Sequence, residues 1–196
     1  MNFKKILFIF LLLNLHNSHV YSMEPDVFVQ STVNRASQIL SENITKEKKI
    51  NKLKTIAKET VDIRAVGFYS LGSARKNLDE SQKQKYSELF EGYFLKSFSS
   101  RLAEYTNPEI DVQNKKLINE NYTIVNSVLV ATSNRPEVKI DWRIYTKDKN
   151  NPLIRDLIIE GLSLARTQKE EFGSILNSND GNIDALFETL REFSKN

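Results

Sequence analysis

The sequence predicts an α+β fold: N-terminal helices, an antiparallel or mixed curved sheet of about four strands, then C-terminal helices. Three observations carry this. Apolar residues recur at helical spacing from residue 24 to about 105. From Pro108 to Glu160 the pattern changes to period two, and from Ser163 to Phe193 helical spacing returns. Helical and strand segments grouped in separate runs mark α+β rather than an alternating chain.

Residues 24–60 read as two helices. Pro25 suits a first turn, and Val27, Val33, Ala36, Ile39 and Leu40 keep helical spacing. Glu42-Asn43 breaks the pattern, and Thr45 is placed to cap a second run through Ile50, Leu53, Ile56 and Ala57. A third helix is expected from Asp62 as N-cap to Leu71, with Gly72 at its end. The clearest helix starts at an Asp79 cap and runs to Tyr105. Its stripe of Tyr86, Leu89, Phe90, Tyr93, Phe94, Phe98, Leu102 and Tyr105 carries six aromatics. Such a stripe packs on a sheet, or it lines a void, because rigid rings bound a space at small entropic cost. Periodicity leaves both readings open.

Ile110, Val112 and Leu117 mark a first strand, and residues 122–132 a second, with Val125, Leu129 and Val130. In the third, Val138, Ile140, Trp142 and Ile144 alternate with Lys139, Asp141, Arg143 and Tyr145, as in a half-buried antiparallel strand. Residues 153–160 form a fourth. The polar connections at 119–121, 133–136 and 147–151 have hairpin length. Closing helices are expected at 163–176 and 182–193.

Residues 1–22 read as a cleaved secretory signal, with Lys4 and Lys5, an apolar run over 6–13, and Ser22 at the cleavage point. That run is far short of the roughly 20 residues that span a bilayer. Residues 23–196 then form one soluble domain, since no linker, repeat or charge block divides them. Against 28 basic side chains stand 25 acidic ones. Losing Lys4 and Lys5 leaves a nearly neutral chain, which gives no electrostatic case for nucleic acid. Both histidines, His16 and His19, fall in the signal, and there is no cysteine. Triad and thiol catalysis, disulfides and nearly every zinc or haem site are thereby excluded from the mature chain. No catalytic and no metal-binding residue is expected. The fold must be held by its core, and a domain of this size buries roughly 70% of its unfolded surface.

Gly161-Leu162-Ser163-Leu164-Ala165 approaches the nucleophile elbow G-x-S-x-G but lacks the last glycine, so Ser163 reads as a helix cap. Asp156 and Glu160 would stand about 13 Å apart along one strand. That is beyond the pairing distances of glycosidase carboxylates, so structural hydrogen bonding is the reading. Asn43-Ile44-Thr45 and Asn121-Tyr122-Thr123 match glycosylation sequons. Lys46, Lys48, Lys49, Lys52, Lys54 and Lys58 form a basic helical stretch, either a solvated face or a contact for anionic head groups or an acidic partner.

Two word patterns carry a family resemblance. Asp62-Ile63-Arg64-Ala65-Val66, followed by Leu71-Gly72, Arg75-Lys76 and Ser81-Gln82, is one. Asp156-Leu157-Ile158-Ile159-Glu160-Gly161-Leu162-Ser163-Leu164, with Phe172 and Ile175-Leu176, is the other and the more specific. Over residues 55–193 the chain resembles the MlaC family, periplasmic phospholipid-binding proteins of the Mla lipid-asymmetry pathway, also described as toluene-tolerance auxiliary proteins. It departs at Pro152-Leu153-Ile154-Arg155, where the family often has an aromatic or basic pair, and at Gln168-Lys169, where Tyr-Arg is frequent.

The resemblance implies a fold enclosing an apolar lipid pocket, with phospholipid as cargo and no cofactor. The protein would be a monomeric, non-enzymatic carrier between an outer-membrane lipoprotein-porin complex and an inner-membrane ABC transporter with its substrate-binding subunit. Its action would maintain outer-membrane lipid asymmetry. Energy would come from that ATPase, as this chain has no phosphate-binding Gly-rich loop. The cavity wall would comprise Phe90, Tyr93, Phe94 and Phe98 of the long helix, facing Leu129, Val138, Ile140, Trp142, Ile144, Leu157 and Ile159 of the sheet. The alternatives are a secreted interaction or chaperone module whose aromatic stripe is core, and a hydrolase working with carboxylates alone.

Overall fold

The computed structural model describes residues 23–195, so the signal-peptide reading of residues 1–22 lies outside the described residues. Helices α1 (Pro25–Ser41), α2 (Lys46–Thr60), α3 (Ile63–Ser70) and α4 (Glu80–Leu102) come first, with a 3-10 turn at Ala74–Lys76. Strands β1 (Ile110–Asn119), β2 (Tyr122–Leu129), β3 (Val138–Tyr145), β4 (Leu153–Ile159) and β5 (Leu162–Ser163) follow, then α5 (Leu164–Asn177) and α6 (Ile183–Lys195). The predicted α+β order is the observed one.

Local chemistry sets the helix starts. Pro25 opens α1, and the Thr45 hydroxyl accepts from the Lys48 N–H. At α3 the Asp62 carboxylate accepts from the Ala65 N–H, and at α4 Asp79 and Gln82 form a reciprocal capping box. α4 ends at Leu102, short of the expected Tyr105, which falls in the turn that follows. The aromatic stripe is shortened accordingly.

The strands form one antiparallel meander in the order β1-β2-β3-β4-β5. The fifth strand was not expected. It arises because Glu160 (φ 50°) and Gly161 (φ 82°) make a two-residue turn that pairs Ile159 with Leu162. Positive φ at both centres is the hairpin geometry that follows strand twist, and glycine adopts it freely. Glu160 thus sits in a turn and not on the strand face assumed for an Asp156–Glu160 pair. A second irregularity matters more. Arg143 pairs with Asp156 and Ile144 with Ile154, leaving Arg155 as a bulge. The extra residue resets the alternation, so Ile154 and Leu157 both face the side that carries Ile144 and Trp142.

α4 packs on α2, α3 and α6, while α1 lies on β1 and β2 and α5 on β4. The aromatic stripe therefore meets other helices, and it faces β3 and β4 across an open space. Tyr86 and Phe90 are almost fully buried in this helical layer. The Tyr86 hydroxyl donates to the Gly67 carbonyl at 2.8 Å, and a Cβ on Gly67 would lie 2.6 Å from the Phe90 ring. Only glycine lets α3 approach α4 so closely. Among the described residues no helix is long and apolar enough to cross a membrane.

Candidate functional site

Between α4, α5, the start of α3 and strands β3 and β4 lies a cavity of about 290 Å³. Phe90, Tyr93, Phe94 and Phe98 of α4 form one wall, with Trp142, Ile154 and Leu157 of the sheet opposite. Val61, Val66, Leu164 and Ala165 complete the apolar lining, and Ser97, Arg101, Arg155, Asp156, Thr167, Gln168 and Glu171 add polar groups to it. The helical spacing of the four aromatics tiles their rings: Phe90 and Phe94 lie 6.1 Å apart between centroids, and Phe94 and Phe98 5.4 Å. Across the space, the Trp142 indole N–H donates to Ser127 Oγ at 2.8 Å, and that hydroxyl donates to the Ile140 carbonyl. The polar edge of the indole is satisfied within the sheet, leaving its hydrocarbon face to bound the void.

Of the expected wall residues, Phe90, Tyr93, Phe94, Phe98, Trp142 and Leu157 line this cavity. Leu129, Ile140 and Ile144, buried in the core, and Val138, packed against it, do not line the cavity. Ile159 is half-buried beside the β4–β5 turn. Strand alternation identifies the inward face but not what stands opposite each position, so it placed solid core and cavity wall in one set. Sequence reasoning missed Ile154, which only the Arg155 bulge turns inward. It also missed Val61, Leu164 and Ala165, at helix ends where no periodic signal exists, and Val66 inside α3, a helix of 8 residues, too short to set up a stripe.

Three polar clusters border the cavity. The Tyr93 hydroxyl donates to Gln168 Oε1 at 2.9 Å, and Gln168 Nε2 donates to Glu171 at 2.9 Å, tying α4 to α5. Burial pushes the Tyr93 phenol above its ordinary value, so it remains a protonated donor at neutral pH. Arg155, on the bulge, donates to Asp62 at 2.9 Å and to the Tyr122 hydroxyl at 2.7 Å, with its guanidinium 3.5 Å from the Tyr145 ring centroid. The Asp62 N–H in turn donates to the Ile154 carbonyl at 3.0 Å, so the first family word anchors α3 to β4. Asp156 accepts from the Ser163 hydroxyl at 2.6 Å and from the Ala165 N–H at 3.0 Å. Ser163 Oγ also accepts from the Arg166 N–H at 3.0 Å. Ser163 is a helix cap, as its sequence context indicates, and Asp156 fixes the cap. The second family word is thus a strand, a hairpin turn and a helix start held by one buried carboxylate.

Elsewhere, the basic stretch on α2 is partly engaged: Lys52 pairs with Glu42, Lys58 with Glu91, and Lys49 donates to the Leu40 carbonyl. Among the described residues no group of three or more His, Asp or Glu side chains is arranged to hold a metal ion.

A family model described as MlaC protein matches residues 30–192. Among solved structures, a phospholipid-binding protein from Ralstonia solanacearum, determined in complex with a phospholipid, superposes with a TM-score of 0.72. The two chains are 18% identical, and the match covers 87% of this chain and 96% of that one. At that identity the likeness is one of fold.

Proposed function

Because this chain belongs to the MlaC family, we propose that it is a periplasmic phospholipid carrier, moving glycerophospholipid between outer- and inner-membrane Mla complexes and so sustaining outer-membrane lipid asymmetry. The observation that carries this reading is the cavity walled by Phe90, Tyr93, Phe94, Phe98, Trp142 and Leu157. Rings and aliphatic groups make up most of the lining, with polar side chains among them, which suits a ligand with a hydrocarbon body and a polar end. The phospholipid held by the Ralstonia protein of the same fold supports it.

The physical task is large. At about 0.8 kcal/mol per buried methylene, shielding two long acyl tails from water is worth on the order of 20 kcal/mol. No catalytic residue is needed for this, only a closed apolar wall, and a chain with no cysteine and histidines only at positions 16 and 19 is suited to it. At about 30 Å³ per methylene, roughly a water's share of liquid volume, the cavity accommodates some ten methylene groups. Loading a diacyl lipid therefore widens it. The half-buried Tyr93, Phe94 and Leu157 are free to move outward in a way that the buried Phe90 is not. The Tyr93–Gln168 hydrogen bond between α4 and α5 is the polar link such widening would break.

In this role the monomer docks on an outer-membrane lipoprotein-porin complex and on an inner-membrane ABC transporter with its substrate-binding subunit, whose ATPase supplies the energy. The secretory signal read in residues 1–22 accords with export to the periplasm. Native mass spectrometry of the gently purified mature chain tests the reading. A mass increment of intact phospholipid on the folded monomer is expected. A chain that emerges free of lipid from cells with ordinary membranes would overturn the carrier reading and favour an interaction module.

A further inference from the structure

The cavity does not end at its aromatic wall. Beyond it α4 borders an outer basin of about 700 Å³, lined by Lys96, Ser97, Ser100, Arg101 and Glu104 together with the rings of Tyr105 and Phe193. Ser97 and Arg101 line both spaces. They lie one turn apart on the helix face that carries Phe94 and Phe98, so the apolar stripe passes directly into a polar threshold. The other charged groups on the cavity wall are engaged: Arg155 with Asp62, Asp156 with Ser163 and Ala165, and Glu171 with Gln168. Arg101 is in no ion pair among the described residues, and it is exposed. Lys96 gives one contact to the Ser194 carbonyl at 3.3 Å and has further donors. With Glu104 included, the basin lining keeps a single positive charge, matching the single negative charge of a phosphodiester.

We propose that Arg101 and Ser97, supported by Lys96 and Ser100, form a phosphodiester subsite that seats the cargo's head-group phosphate at the threshold of the cavity. This rests on the carrier reading and adds to it the group that orients the lipid, tails inward and phosphate on the guanidinium. An arginine suits the task, because its planar fork binds phosphate oxygens through two parallel N–H bonds. Arg101 also lies in the last turn of α4, where a cation complements the helix dipole. A role confined to the helix end would alter stability and leave lipid selectivity unchanged.

The test uses the full mature chain and two pyrene-labelled probes with the same acyl chains, a phosphatidylglycerol and a diacylglycerol that lacks the phosphate. Wild type is expected to hold the phospholipid about tenfold more tightly, the effect of a charge-assisted hydrogen bond. Arg101→Gln should remove about that factor for the phospholipid, change diacylglycerol binding far less, and lower the unfolding temperature by no more than about 4 °C, the cost of losing one helix-end cation. Arg101→Lys should fall between. Equal weakening of both probes, or of neither, overturns the subsite. So does displacement of the lipid by millimolar inorganic phosphate from wild type but not from Arg101→Gln, which would assign the site to free phosphate. A wild-type chain that binds neither probe overturns the carrier reading itself, and is told apart from failure of the subsite by that result.

Discussion

Leu157→Asp is expected to empty the protein of lipid while leaving it folded. Leu157 pairs with Trp142 across β3 and β4, is half-buried, and faces the cavity. A carboxylate there reaches water when the cavity is empty but would face hydrocarbon when it is loaded. Placing a charge at the centre of a hydrocarbon layer costs about 2.5–3.5 kcal/mol, so retention should fall on the order of a hundredfold. Phe94→Asp, also half-buried on the opposite wall, should act the same way. Ile144→Asp provides the contrast. Ile144 is fully buried in solid core, so a charge there should unfold the chain rather than alter its cargo selectively. The check is lipid per protein by native mass spectrometry alongside circular dichroism. A folded Leu157→Asp protein that keeps a wild-type complement of lipid would show that the tails lie elsewhere.

The second large effect is on stability. Gly67→Ala should lower the melting temperature by roughly 2–12 °C, because overpacking a filled interior costs about 1–3 kcal/mol and a domain of this size moves some 2–4 °C per kcal/mol. The added methyl would stand 2.6 Å from the Phe90 ring. Other rings flank Phe90 on three sides, at 5.7 Å to Tyr86, 6.1 Å to Phe94 and 6.1 Å to Phe172 between centroids, so it can yield only toward the cavity. The displaced ring would press into the cavity it lines, so lipid retention should weaken in the same variant. Calorimetry of the lipid-free protein measures the first effect. An unchanged transition would mean that α3 and α4 are not packed this closely in solution.

Gly67 also shows where the sequence stopped being legible. Glycine in the middle of a short predicted helix gives no hint of the neighbour it admits, which belongs to a helix beginning at Glu80. The helix starts at Thr45, Asp62, Asp79 and Ser163 were readable, since a capping side chain acts within three residues of itself. The four long strands were readable from alternation, while the two-residue β5 was too short to alternate. For the site, the aromatic face of α4 was visible as helical spacing, and Phe90, Tyr93, Phe94 and Phe98 followed from it. On the sheet side, alternation placed Ile140 and Ile144 beside Trp142, though only Trp142 meets empty space. The Arg155 bulge, which brings Ile154 and Leu157 onto one face, depends on pairing with β3 and on the Asp62 and Tyr122 contacts of Arg155. None of those contacts is local in the chain. Arg101 carries no sequence signal for a related reason: an arginine near a helix end is ordinary, and only the two adjoining spaces set it apart.

Trp142 is the single tryptophan of the chain and lines the cavity, so its fluorescence reports directly on whether acyl chains occupy it. Lipid-free protein loaded with a phospholipid brominated along its acyl chains should lose most of its tryptophan emission, because bromine quenches on contact. The same lipid without bromine should leave the emission largely unquenched. Brominated lipid that binds in equal amount while Trp142 emits at full intensity would contradict a hydrocarbon-filled cavity between α4 and the sheet.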